Sequence, residues 1–239
     1  MNVLVTGGAG FIGTNLIKKL LDKKYNVISV DNYSTGRIDR HLDGANYLEY
    51  DVNDIDSYIN QYKFDAVFHL AALARIQPSF EKPVDSFISN SLATFRLAHY
   101  CAINNIPLIY AGTSSHHSGK FKNPYTFAKD IGEDAIRLFQ EHYNLKSSIS
   151  RFYNVYGPYQ SKDGAYCNLL GIWEKCIEEN QPLIVTLSLN IDQINAILSG
   201  LGELPTKHGV WPLTQVIISQ VQEQLPPAKE ASDEEQSEV

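Results

Sequence analysis

The sequence predicts an α/β protein: an open, doubly wound sheet of parallel strands, followed by a C-terminal part of different composition. Three observations carry this expectation. Short apolar runs alternate with amphipathic segments through the first 150 residues, the pattern of repeated βαβ units. The first run, Val3-Leu4-Val5, passes directly into the glycine-rich stretch Thr6-Gly7-Gly8-Ala9-Gly10-Phe11-Ile12-Gly13. Charge and composition then change near residue 186.

The elements follow in order. Strands are predicted at 2–6, 26–30, 46–50, 65–70, 107–111 and 147–152, and helices at about 11–23, 53–61, 84–104 and 124–143. The first helix carries Leu16, Ile17, Leu20 and Leu21 on one side, with Lys18 and Lys19 between them. Strand, glycine turn and helix together are the setting in which such a motif binds a dinucleotide. Gly7 permits a tight turn after the strand, Gly10 lets a pyrophosphate approach the backbone, and Gly13 lets the helix sit close to the strand. Gly8 also fits a second register of the motif, G-x-G-x-x-G. The helix start offers free N–H groups and a positive dipole end to phosphates. The bland alternative is a purely structural glycine turn. Asp31 follows Val27-Ile28-Ser29-Val30 where an acid can hold a ribose 2′-OH, which favours NAD over NADP. Arg37 reads as a solvated loop residue.

Length and composition bound the function. The 239 residues suit one large domain, or one domain and a small lobe, and 44% apolar content is ordinary for a globular chain. No apolar run approaches the roughly 20 residues of a membrane span, and Met1-Asn2 leads straight into a strand without a signal-peptide pattern. Cys101, Cys167 and Cys176 are too few and scattered for a disulfide framework or a zinc site. They read as reduced, partly buried thiols of a cytoplasmic protein. The net charge of −7 leaves no basic footprint for nucleic acid. Residues 1–185 carry 18 Lys and Arg against 19 Asp and Glu, whereas residues 186–239 carry 2 against 8.

Candidate site residues fall after the strands. Asp51-Val52 follows the third strand, where a carboxylate can accept from an adenine amino group or cap the helix beginning near 53. His69-Leu70-Ala71-Ala72 ends the fourth strand; its small residues can let backbone pass beneath a cofactor, and His69 reads as a hydrogen-bonded core residue. Asn90 lies in the next helix, able to hydrogen-bond within the sheet or near the cofactor. The chemical signal is Tyr125-Thr126-Phe127-Ala128-Lys129, with Tyr and Lys at i and i+4 on one helix face. An ammonium beside a phenol and a bound nicotinamide favours the tyrosinate, so Tyr125 can exchange a proton with a substrate hydroxyl. Thr113-Ser114-Ser115, past Leu108-Ile109-Tyr110-Ala111, supplies hydroxyls to hold the substrate oxygen, unless it is simply a polar loop. His116-His117, with no further ligand nearby, reads as loop rather than metal site.

Together these stretches, with Arg151-Phe152-Tyr153-Asn154-Val155-Tyr156-Gly157-Pro158, resemble the extended short-chain dehydrogenase/reductase family in its NAD-dependent sugar-nucleotide epimerase/dehydratase branch. UDP-glucose 4-epimerase-like proteins look most similar, and the resemblance covers about residues 1–185. It implies a Rossmann-like domain with NAD as cofactor and a UDP- or dTDP-hexose as substrate. Gly7, Gly10, Phe11, Ile12 and Gly13 would hold the pyrophosphate, Asp31 and Asn32 the adenosine ribose, and Asp51 and Val52 the adenine. Leu70, Ala71 and Ala72 would line the phosphate–nicotinamide path. Tyr125 would be the acid/base and Lys129 its partner, also on the nicotinamide ribose. Thr113, with Ser114 as fallback, would be the catalytic hydroxyl, Phe152 would pack by the nicotinamide, and Asn154 would meet the substrate diphosphate. The implied reaction removes a hydride from a sugar carbon and returns it, inverting a centre or eliminating water. Family members often dimerise through two long helices, here 84–104 and 124–143.

Two departures stand out. The loop from Ser115 to Tyr125 is short for the family. After Pro182-Leu183-Ile184-Val185 the family's usual substrate lobe, with its diphosphate-binding Arg, is absent. Instead, 186–226 reads as a helical hairpin of unrelated composition, with Leu189, Ile194, Ile197 and Leu201 on one stripe and Leu213, Val216, Ile217 and Leu225 on another. The acidic tail, 227–239, reads as disordered. The chain is therefore expected to have a truncated or replaced substrate lobe. The alternative function is an NAD-binding module that has lost substrate binding and catalysis, with the hairpin as an interaction segment.

Overall fold

The computed structural model describes residues 1–164 and 167–182. These belong to one compact unit, Met1–Leu183. The predicted hairpin and acidic tail lie outside the described residues.

Six strands form one sheet: β1 (Asn2–Thr6), β2 (Asn26–Asp31), β3 (Ala45–Glu49), β4 (Ala66–His69), β5 (Leu108–Thr113) and β6 (Ser147–Phe152). Their spatial order is β3-β2-β1-β4-β5-β6, and every pairing is parallel. The chain leaves β1 outward to β3, then returns to the other side of β1 for β4. The loops beyond β1 and β4 therefore diverge and open a crevice at their carboxyl ends.

Period-2 alternation assigns each face. Val3 and Val5 of β1 pack with Val27 on Ile17 and Leu20 of α1 (Phe11–Asp22). Leu4 faces the other way, into a cluster with Val67, Leu108 and Tyr110. Burial on both faces explains why these strands read as continuous apolar runs.

The helices differ more from expectation. The predicted 53–61 helix is a single turn, α2 (Ile55–Tyr58), followed by a 3₁₀ turn, Ile59–Gln61. A short helix, α3 (Ile76–Glu81), was not expected; Pro78 falls inside it. At the third helical position its missing N–H costs nothing, since that donor has no partner within the helix. The predicted 84–104 helix is α4 (Pro83–Phe87), a π-turn at Ile88–Leu92, and α5 (Ala93–Ile103). The long helix α6 (Pro124–Tyr143) matches its prediction. Asn123 caps it by accepting from Thr126 N–H at 2.8 Å, and Pro124 occupies the first position. It ends at Asn144, φ 54°, with Leu145 N–H returning to the Phe139 carbonyl at 3.1 Å. A further helix, α7 (Leu169–Glu178), starts at Asn168, which accepts from Gly171 N–H at 2.7 Å.

Leu97, Ala98 and Cys101 of α5 and Ile136 and Phe139 of α6 complete the second core face. Cys101 is buried, and Cys167 and Cys176 are partly buried, all as free thiols.

Candidate active site

The opening loop is shaped by what its glycines lack. At Gly7, φ is +72°, and a Cβ would lie 2.7 Å from Ala71 N. The exits of β1 and β4 thus touch at a point only glycine allows. A Cβ on Gly13 would lie 2.1 Å from the Gly7 carbonyl oxygen, so glycine lets α1 close on the loop. Gly10 would meet only Gly7 O, at 3.2 Å, and otherwise faces open space. Gly8 serves packing instead: its Cβ would fall 2.0 Å from Ser29 Oγ. The Gly7-x-x-Gly10-x-x-Gly13 register is therefore the one that shapes the crevice. No side chain caps the start of α1, so its N–H groups face the crevice available to an anion.

A cavity of about 600 Å³ runs from this loop toward α6. Gly7, Gly10, Phe11, Ile12, Gly13, Asp31, Asn32 and Val52 line one end. Leu70, Ala71 and Ala72 follow, and Thr113, Ser114, Tyr125, Lys129, Phe152 and Asn154 line the other end. Two predicted residues do not reach the wall. Asp51 is not a helix cap, since α2 starts at Ile55; its carboxylate accepts Asn53 N–H and Asn32 Nδ2, each at 2.8 Å. Burial opposes its charge, but these bonds outweigh it and hold the carboxyl below its ordinary range. Asn90 is buried behind the wall, accepting Leu73 N–H at 2.9 Å and donating to Leu73 O at 3.1 Å. It braces the stretch that lines the path rather than lining it. The π-turn centred on Asn90 presents its side chain there, and Thr94 Oγ1 satisfies the Asn90 carbonyl at 2.8 Å.

Asp31 is 8% exposed. Its oxygens accept Ala9 N–H and Tyr33 N–H, both at 2.9 Å, so it ties the glycine loop to β2 as well as lining the cavity. Burial raises its pKa, although those two bonds work the other way. His69 is a core residue, as expected. Its Nδ1 lies 2.7 Å from Thr6 Oγ1 and its Nε2 3.0 Å from Thr94 Oγ1. Thr94 donates to Asn90 O and Thr6 Oγ1 accepts from Ala71 N–H, which assigns the ring proton to Nε2. Complete burial pushes its pKa down to about 3, so the ring stays neutral.

At the far end, the Thr113 hydroxyl lies beside the Tyr125 phenol and works to lower its pKa. Thr113 is held in place by accepting Ser115 N–H at 3.2 Å, and Tyr125 N–H donates to Ser79 Oγ of α3 at 3.0 Å. Burial raises the Tyr125 pKa; Thr113 and the Arg75 charge oppose that rise. Burial pushes the Lys129 pKa down to about 7, and its Nζ lies 4.1 Å from the Tyr110 ring centroid.

Three charged residues were missed. Arg75 and Arg40 line the cavity. Glu133 continues the Tyr125–Lys129 spacing by one more turn, a signal the sequence offered; its charge favours the Lys129 ammonium. Arg151 grips Glu133 through Nε at 3.1 Å and Nη2 at 2.5 Å. Among the described residues, His116, Asp130 and Glu133 form the one cluster with metal-ligand atoms close together. Arg151 engages Glu133, and His116 Nδ1 lies 2.8 Å from Asp130 Oδ1, so these ligand atoms are already engaged.

A glycine-loop crevice joined to a Tyr, Lys and Thr set defines an extended short-chain dehydrogenase/reductase. Residues 3–191 match the profile described as the NAD dependent epimerase/dehydratase family, and the chain belongs to that family. It is 29% identical over 186 residues to UDP-glucose 4-epimerase of Mycolicibacterium smegmatis, covering 69% of this chain and 59% of that protein. The crystal structure of Thermotoga maritima UDP-glucose 4-epimerase with UDP-glucose is similar, with TM-score 0.71, 29% identity and coverage of 76% of this chain and 64% of that one. The Thermus thermophilus UDP-glucose 4-epimerase complex with NAD gives TM-score 0.68 and 28% identity over 76% of this chain and 64% of that one. The chain thus spans less than two thirds of the length of these relatives.

Proposed function

We propose that this chain binds NAD and acts on a nucleotide-linked hexose as an epimerase or dehydratase. The observation that carries the reading is the pairing of the Thr113 and Tyr125 hydroxyls at one end of a cavity whose other end is the glycine loop and Asp31. The residues fit a dinucleotide: Gly10 leaves open space against the loop, and the start of α1 presents uncapped N–H groups. Gly10, Phe11, Ile12 and Gly13 would hold the pyrophosphate, Asp31 and Asn32 the adenosine ribose, and Val52 the adenine edge. When bound, NAD supplies the hydride acceptor and returns the hydride.

The protein's own groups manage the proton. Thr113 and Tyr125 hold a sugar hydroxyl between their oxygens. Lys129, near half-protonated at neutral pH, takes up the Tyr125 phenol proton in its free-amine form, and the tyrosinate, stabilised by the ammonium so formed, accepts the proton of the sugar hydroxyl. Arg75 adds a cation facing the same oxygen. Asn154 contacts the substrate diphosphate. The exposed apolar row Val84, Ile88, Leu92 and Phe95 joins two copies into a dimer through the 83–103 and 124–143 helices.

The test is incubation of the full chain with UDP- and dTDP-hexoses and NAD, followed by NMR. Product from at least one sugar is expected, and Tyr125→Phe should lower its rate by about 100-fold or more. No turnover of any of them overturns the proposal.

A further inference from the structure

The cavity carries a cation that the reaction does not use. Arg40 sits at the end of a 3₁₀ turn, Ile38–Arg40, and is 7% exposed, yet it lines the cavity. Burying a guanidinium is costly unless its donors are met. Arg40 has five N–H donors. Its one side-chain bond among the described residues is a long one, Nη2 to Ser161 Oγ at 3.4 Å. It makes no ion pair with a described carboxylate, although Asp31 is near enough for each charge to act on the other. By contrast, Arg37, three residues earlier, is exposed and spends its donors on Asp39 at 2.7 and 3.0 Å.

The turn that holds Arg40 is anchored to the glycine loop. Arg37 N–H donates to Ala9 O at 3.0 Å, and Ala9 N–H donates to Asp31 at 2.9 Å. Arg40 and the ribose-selecting Asp31 therefore belong to one braced unit around the cavity end. An acid there disfavours a 2′-phosphate, and a nearby Arg accommodates one. Here both are present. Both Asp31 oxygens already accept backbone N–H groups, which spreads the negative charge that would repel a phosphate.

We propose that Arg40 is a phosphate-recognising residue at the ribose end of the cavity, so that this chain accepts the 2′-phosphorylated dinucleotide NADP as well as NAD. The inference rests on the reading that the cavity takes NAD. Its ligand chemistry is a dianionic phosphate ester, for which a planar guanidinium whose donors are mostly unspent among the described residues is the suited partner.

Equilibrium titration of the full chain with NAD and NADP, by calorimetry, tests this. The wild-type chain should bind NADP within about 10-fold of NAD. Arg40→Gln should lower the NADP-to-NAD affinity ratio by about 10-fold or more, the size of a lost charge-assisted contact. Arg40→Lys, which keeps the charge, should restore part of that ratio. NADP binding over 100-fold weaker than NAD in the wild type overturns the proposal. So does an unchanged ratio in Arg40→Gln, which would place the guanidinium on the diphosphate or in a bracing role. Failure to bind NAD at all would instead overturn the cofactor reading.

Discussion

Lys129 is costly to the fold, and in the proposed reaction it is useful to the site. Burial holds its pKa near 7, whereas in the unfolded chain it keeps its proton to about 10.5. Between these values the unfolded state binds more protons, so stability should rise with pH across that window. Below pH 7 the penalty is complete. Lys129→Met removes it and should raise the melting temperature at pH 7 by about 3 °C or more while abolishing turnover. Urea unfolding at pH 6, 8 and 10 checks the sign: the gap between variant and wild type should shrink as pH rises. The Tyr125, Lys129 and Thr113 placements were legible because helical period and strand ends dictate them. The acidity of Tyr125 was not, because desolvation depends on what packs above the ring. Arg40 escaped for the same reason: nothing in its neighbours marks it as buried.

At the scale of elements, strands were easier to read than helices. A strand buried on both faces is a run of apolar residues with turns at its ends, and all six appear within two residues of expectation. The π-turn at Ile88–Leu92 has no comparable mark, since it arises from tertiary bonds that Asn90 and Ser91 make. Those bonds have a measurable value. Asn90→Ala leaves the partly buried Leu73 N–H and C=O without their partner and should cost about 1 kcal/mol or more in denaturant unfolding. Close approach gives a second prediction. A Cβ at position 132 would lie 2.6 Å from the Tyr110 hydroxyl and 2.9 Å from Asn90 O, so Gly132→Ala should destabilise by about 1–3 kcal/mol. An unchanged denaturation midpoint in either variant would refute that account of the helix contact.

For the molecule as a whole, the apolar residues left outside are informative. Val84, Ile88, Leu92 and Phe95 recur at helical spacing and are each at least 40% exposed. If the proposed dimer buries them, sedimentation should give twice the chain mass, and Leu92→Glu should give the monomer. A wild-type monomer at micromolar concentration would refute it. The expectation of a dimer through 84–104 and 124–143 came from the family resemblance and not from the residues themselves, because an amphipathic stripe reports burial without naming what covers it.

The stretch after β6 has a kinetic consequence. Tyr153, Asn154, Val155, Gln160 and Ser161 wall the cavity, and this stretch is moored to the first helix, where Asn15 Nδ2 donates to Pro158 O at 2.7 Å. A dinucleotide leaving toward that side must first wait for the mooring to slip. Its residence time would then be governed by a side chain that never touches it, and Asn15→Ala should release bound NAD faster in stopped-flow chase.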